Sequence, residues 1–207
     1  MTTAVAGRAD RLRRRGRGRR VLMAGLVVLL AATALTVHVT MPSWYARLWY
    51  PMEHVHAITA EAAATGVEPD LIAAVIYQES KYTENARSTR GAVGLMQVLP
   101  ETADWIHRQR GAPAAGPDRL AEPEVNIAYG TWYLRYLLDK YRSQDLALAA
   151  YNGGETNLRL WIATARRNGH ALTLADIPFS ETRNFVGAVR DARSVYRRAW
   201  AESLGLR

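Results

Sequence analysis

The sequence predicts an all-α domain over roughly residues 52–203, preceded by one N-terminal transmembrane helix. Three observations lead there. Apolar residues recur at helical spacing from about Met52 onward, and no stretch alternates as a strand would. The long uncharged run, Val21 to Val39, directly follows a block of arginines. Apolar residues make up 49% of the 207, which is enough to bury a core without other staples.

Residues 1–20 carry eight arginines against the single acid Asp10, a charge of +7. From Val21 onward, 19 basic residues face 18 acidic ones, so the net +8 belongs to the arm and not to the domain. A basic arm alone reads as a nucleic-acid-binding or solvated tail. Here it abuts an apolar run of about 20 residues, which at about 1.5 Å each spans a hydrocarbon core of about 30 Å. Massed arginines place that flank in the cytoplasm. Trp44, Tyr45, Trp49 and Tyr50 follow on the far side, as an interfacial aromatic belt would. Ala32-Thr33-Ala34 has the form of a signal-peptidase site, but apolar residues continue through Leu35, Val37 and Val39, which favours an uncleaved anchor. The expected organisation is a basic cytoplasmic arm (1–20), a signal-anchor helix (21–41), a juxtamembrane segment (42–58) and an extracytoplasmic domain (59–203). Nucleic acid is not an expected partner; the membrane is.

Within the domain, the alanine-rich stretch His54 to Thr65 stops at Gly66. Asp70 follows Pro69 and opens Leu71 to Tyr77, apolar on nearly every side and so a buried helix. Tyr82 to Gly94 is polar and glycine-containing, hence loop, and Pro100 to Arg108 is a short helix. Arg110 to Glu122, with two glycines and two prolines, is a surface loop. Pro123 suits the first turn of a helix through Tyr141. Leu146 to Tyr151 is a buried helix ended by Asn152-Gly153-Gly154, and Leu158–Asn168 and Thr182–Ser203 complete the set.

The chain has no cysteine, which excludes disulfides, thiolate metal sites and a thiol nucleophile. Its five histidines lack metal-ligand spacing, so neither a metal nor another cofactor is expected. The chemistry points to Glu79. A carboxyl at the C-terminal end of an apolar helix meets the negative end of the dipole and loses hydration, and both favour the protonated form of a general acid. The same position also suits a glutamate that simply points to solvent. Beyond it, Gly91 and Gly94 permit close backbone approach, and Met96 and Gln97 pair a soft apolar surface with an amide, as a sugar's alternating faces require. Met96 can equally fill a core gap, and Gln97 can cap the Pro100 helix.

The segments Glu79-Ser80-Lys81-Tyr82, Gly91-Ala92-Val93-Gly94-Leu95-Met96-Gln97, Asn126-Ile127 with Gly130, Tyr133 and Leu134, Ala149-Ala150-Tyr151-Asn152, and Glu181-Thr182-Arg183 together resemble the Slt-type lytic transglycosylase domain over about residues 60–190. The resemblance implies a lysozyme-like helical fold and a peptidoglycan glycan strand as substrate. It implies Glu79 as the single acid and then base, cleaving between N-acetylmuramic acid and N-acetylglucosamine and closing a 1,6-anhydro ring. It also implies Ser80, Met96, Gln97, Tyr151, Asn152 and Glu181 as substrate-binding residues, with Glu181 holding Tyr151 or a sugar hydroxyl. No motif offers a convincing second carboxylate beside Glu79, which favours anhydro-ring formation over hydrolysis. Thr156 and Phe185 depart from the family's usual glycine and tyrosine, and the Phe185 change loses a hydroxyl from the cleft. A hydrolytic muramidase and a catalytically silent wall-binding module remain as alternatives.

Overall fold

The computed structural model describes residues 23–109, 111, 113 and 115–206. The expected basic arm therefore lies outside the described residues. The chain divides into two compact units, residues 1–45 and 46–207. In the first, helix α1 (Met23–Thr40) has a mean hydropathy of 2.0, and none of it is buried; its length and composition suit a membrane span.

The second unit is helical, as expected, and among the described residues it has no strand. After α2 (Ser43–Trp49) come α3 (Val55–Thr65), α4 (Pro69–Ser80), α5 (Pro100–His107), α6 (Pro123–Tyr141), α7 (Gln144–Gly153), α8 (Glu155–Arg167) and α9 (Ser180–Ala199). Three of these open on proline: Pro69, Pro100 and Pro123 each occupy the first turn, where no intrahelical N–H is needed. Gly66 ends α3 at φ +73°, and its N–H caps the Ala62 carbonyl.

Helix α4 is the centre of this second unit. Leu71 to Ile76 are each no more than 3% exposed, because α3 and α9 pack against it. Burying a side chain such as Ile72 or Ile76 stabilises by about 2 kcal/mol. Helix α9 closes the unit with a stripe at Thr182, Val186, Val189, Ala192, Val195, Tyr196 and Ala199, the spacing of one helical face. Residues 46–58, expected as a juxtamembrane segment, fold with this unit. Ala46 and Ile58 are buried, Tyr196 donates to the Pro51 carbonyl at 2.8 Å, and Trp200 donates to the Tyr50 carbonyl at 3.0 Å.

Several boundaries differ from the sequence reading, and two of them bear on the cavity described below. Helix α7 runs on through Asn152 and Gly153 and breaks at Gly154, at φ +84°. Gly153 is small for packing: a Cβ there would lie 2.8 Å from the Trp161 ring and 3.0 Å from Thr182 Oγ1. Helix α9 starts at Ser180, which places Glu181 and Thr182 in its first turn.

Candidate active site

The last turn of α4 delivers Glu79 to a cavity of about 340 Å³, lined also by Gln97, Tyr151, Asn152 and Glu181. Burial pushes the Glu79 carboxyl up to about 8, and the negative charge of Glu181 adds to the rise. Glu79 therefore holds its proton at neutral pH. The helix ends directly after it: Lys81 (φ +52°) and Tyr82 (φ +63°) both take left-handed backbone, and the Lys81 N–H caps the Tyr77 carbonyl. The two turns away from the helix axis make room for the loop that forms the opposite wall.

That loop, 82–99, is pinned by two isolated β-bridges, Arg87 with Val93 and Val93 with Val98. Asn126, fully buried on α6, holds it from behind. Its Nδ2 donates to the carbonyls of Val93 (2.8 Å) and Leu120 (3.0 Å), and its Oδ1 accepts from the Met96 N–H at 2.8 Å. Gly94 is required on two grounds: its φ is +78°, and a Cβ would lie 2.6 Å from Asn126 Cγ. Gly130 admits Met96, since a Cβ there would lie 2.5 Å from Met96 Sδ.

Gln97 sits at φ +48° and donates its Nε2 to the carbonyls of Ala86 (3.2 Å) and Gly94 (2.8 Å). With both amide protons so directed, what it offers a ligand is its carbonyl oxygen. Tyr151 donates its hydroxyl to the Met96 carbonyl at 2.8 Å. Burial above all, then the neighbouring Glu79 and Tyr133, keeps this phenol well above its ordinary pKa, so it stays neutral. Asn152 Oδ1 accepts from Thr182 Oγ1 at 2.9 Å, which fixes the amide plane and sets Nδ2 as its free-facing donor type.

This arrangement belongs to a chain whose residues 56–173 match the family profile described as the transglycosylase SLT domain. The chain belongs to the transglycosylase SLT family. It is 33% identical over 151 residues to the soluble lytic murein transglycosylase of Salmonella typhimurium, covering 72% of this chain and 23% of that protein. With the soluble lytic murein transglycosylase of Escherichia coli K12 it shares 35% identity over 127 residues, 60% of this chain and 20% of that one. Among solved structures, an inactive mutant of the lytic transglycosylase Slt from Pseudomonas aeruginosa matches with a TM-score of 0.67 at 33% identity, covering 74% of this chain and 25% of that one. The 70-kDa soluble lytic transglycosylase in complex with bulgecin A matches at 0.68 and 27% identity, covering 79% and 27%. The chain thus spans about a quarter of the length of these relatives.

Five of the seven residues expected at the site meet in one cavity: Glu79, Gln97, Tyr151 and Asn152 from the SLT match, and Glu181 just beyond it. Ser80 and Met96 lie behind it. Ser80 is 9% exposed and donates its hydroxyl to the Ile76 carbonyl one turn back. Met96 is fully buried against Gly130 and Thr131, so its side chain is core, and only its carbonyl serves the site, through Tyr151. Tyr151 bonds that carbonyl rather than Glu181. The expectation that no second carboxylate stands near Glu79 also gives way: Glu181, exposed at the first turn of α9, lines the same cavity and acts on Glu79 through its charge. It was present in the sequence, but only the packing of α9 on α4 brings it there.

Sequence reasoning missed Ser88, Thr89, Arg90 and Leu99, which with Ala92 complete the wall. All four belong to the glycine-punctuated loop 82–99 itself, and that membership was the available signal. A smaller cavity of about 180 Å³ continues from the first past Gln97 and Tyr151 to Thr102 and Tyr133. Another of about 180 Å³ shares Thr102 and Tyr133 and reaches Trp105 and Glu155. Shared lining residues make the three a single groove. A larger cavity of about 620 Å³ lies elsewhere, between α3, α6 and the 111–119 segment. Its arginines are paired, Arg119 with Glu122 and Arg135 with Asp139, and although Glu61 and Glu124 also line it, no side-chain amide or tyrosine hydroxyl joins them as Gln97, Asn152 and Tyr151 join Glu79.

Proposed function

We propose that this chain is a peptidoglycan lytic transglycosylase that cleaves the β-1,4 bond between N-acetylmuramic acid and N-acetylglucosamine. The observation that carries the reading is a proton-bearing Glu79 in a cavity that continues past Gln97 and Tyr151, within a chain of the SLT family. Glu79 gives its proton to the glycosidic oxygen as the bond to the muramoyl anomeric carbon breaks. The carboxylate so formed takes the proton of the muramoyl 6-hydroxyl, whose oxygen attacks that carbon and closes the 1,6-anhydro ring, with no water consumed. The Gln97 carbonyl, the Asn152 amide and the neutral Tyr151 orient the sugar, and Glu181 keeps Glu79 basic enough for the second transfer.

Glu181 also favours a second reading, hydrolysis by two carboxylates with retention of a reducing end. Product masses separate the two, because the anhydro sugar is one water lighter. Full-length protein is incubated with peptidoglycan sacculi and the released fragments are weighed. Anhydro ends support the first reading, reducing ends the second, and binding without release leaves a silent wall-binding module.

The apolar α1, with arginines before it in the sequence, anchors the enzyme with its N terminus in the cytoplasm and the catalytic unit outside. A reporter active only outside the cytoplasm, fused to the C terminus, is expected to be active; an inactive one sinks this topology.

A further inference from the structure

We propose that Arg90 is a specificity-determining residue that binds a carboxylate of the substrate at the mouth of the Glu79 cavity. The inference rests on the reading of the substrate as peptidoglycan.

Arg90 lines both the cavity that holds Glu79 and the one that continues past Gln97 and Tyr151, so it stands where the groove passes the acid. Its backbone is held in place. The turn Ser88-Thr89-Arg90-Gly91 is closed by Gly91 N–H donating to the Ser88 carbonyl at 3.0 Å, with Gly91 at φ +83°. Ser88 and Ala92 lock the base of that turn from both sides. Ser88 N–H donates to the Ala92 carbonyl, and Ala92 N–H donates to Ser88 Oγ, each at 3.0 Å. An ordered turn thus displays an exposed guanidinium at the cavity wall.

Structural arginines in this protein look different. Arg193 and Arg197 share the buried Asp70, Arg119 chelates Glu122, and Arg135 grips Asp139. Among the described residues, no carboxylate forms an ion pair with Arg90, and Arg90 is the basic residue in the wall of the Glu79 cavity. Glu79 does not compete for it, since Glu79 is protonated at neutral pH.

A planar guanidinium with a fork of donors matches a carboxylate in two parallel hydrogen bonds. The N-acetylated sugar rings of the glycan are uncharged. Their anionic groups hang from the muramoyl lactyl ether, either as its own bare carboxylate or as carboxylates of the attached peptide stem. A cation beside the acid therefore recognises which sugar of the alternating pair sits over Glu79, which registers the strand for cleavage at the muramoyl anomeric carbon.

Arg90→Ala and Arg90→Lys are made in the full-length protein and compared on three strands: stem-bearing glycan, amidase-stripped glycan with bare lactyl carboxylates, and stem-bearing glycan with its carboxyls amidated. The contact is exposed, so its loss is expected to raise KM roughly tenfold for Arg90→Ala on anionic strands, with kcat changed less than twofold. Arg90→Lys recovers part of the loss. On carboxyl-amidated strands the wild type and Arg90→Ala should be alike. A loss on the stem-bearing strand alone assigns the contact to the stem, and a loss on both anionic strands assigns it to the lactyl end. Equal KM for wild type and Arg90→Ala on both anionic strands overturns the proposal, as does an equal loss on amidated ones. Strand binding is measured alongside, so a wild type that binds but releases no product sinks the transglycosylase reading while the Arg90 contact is still read from Kd.

Discussion

Glu79 is useful because its surroundings withhold water from it. A carboxyl lifted to about 8 is an acid at neutral pH and still a competent base once it has given its proton away. In the proposed mechanism the protonated form starts the reaction, so turnover is expected to fall as pH rises through about 8, which a kcat/KM profile measures. The charge of Glu181 holds the pKa up, so Glu181→Gln should move this alkaline limb to lower pH. A limb that stays in place would mean that burial alone sets it. Glu79→Gln should lower kcat by about 10²–10⁴, the span of general acid catalysis, and leave strand binding intact. The same burial has a cost in stability. Between the ordinary carboxyl range and about 8 the folded state holds a proton that the unfolded state releases, so stability declines as pH rises across that window. Glu79→Gln removes this slope, and its Tm should exceed the wild type's by a margin that widens from pH 5 to pH 8.

At the scale of elements, the site is a helix end facing a loop, and the loop is shaped from behind. Asn126 satisfies three backbone groups of the loop and its neighbour with one buried side chain, while Gly94 and Gly130 leave room for Asn126 and Met96. None of these three touches the cavity, yet they set where Gln97 and the Met96 carbonyl lie. Gly130→Ala drives a methyl into Met96 and should destabilise by about 1–3 kcal/mol, with a loss of activity beyond what the unfolded fraction explains. Met96→Ala in that background should return part of both; thermal melts and rates on sacculi measure the two. These residues were visible in the sequence as a motif, but their purpose was not. A Gly-Leu-Met-Gln string reads as a ligand surface, and burial turns its Met96 into core and its Gln97 into a brace for its own loop.

Across the whole molecule, the first turn of α4 and the last turns of α9 are tied by a charge cluster at the opposite end of α4 from Glu79. Asp70 is fully buried and accepts from Arg193 at 3.2 Å and Arg197 at 2.7 Å, and Arg193 reaches on to Gln144 of α7. Both arginines retain some exposure, so they rehydrate in part when the acid is lost. Asp70→Ala should therefore cost about 3 kcal/mol, the low end for breaking a buried pair, and lower Tm by roughly 10 °C. The pH profile of the remaining activity should not move, because Glu79 and Glu181 are not in the cluster. The sequence by itself determined what is periodic or local: the helices, their proline starts, the apolar span, the division of charge, and Glu79 at the end of a buried helix. Tertiary structure decided what depends on partners distant along the chain: the approach of Glu181 to Glu79, the withdrawal of Ser80 and Met96 from the cavity, the Tyr151 bond to a carbonyl 55 residues away, and the place of Arg90 in its wall. Periodicity reports which face of a helix is buried, but which groups then meet across the gap is fixed only when α9 and the loop close on α4.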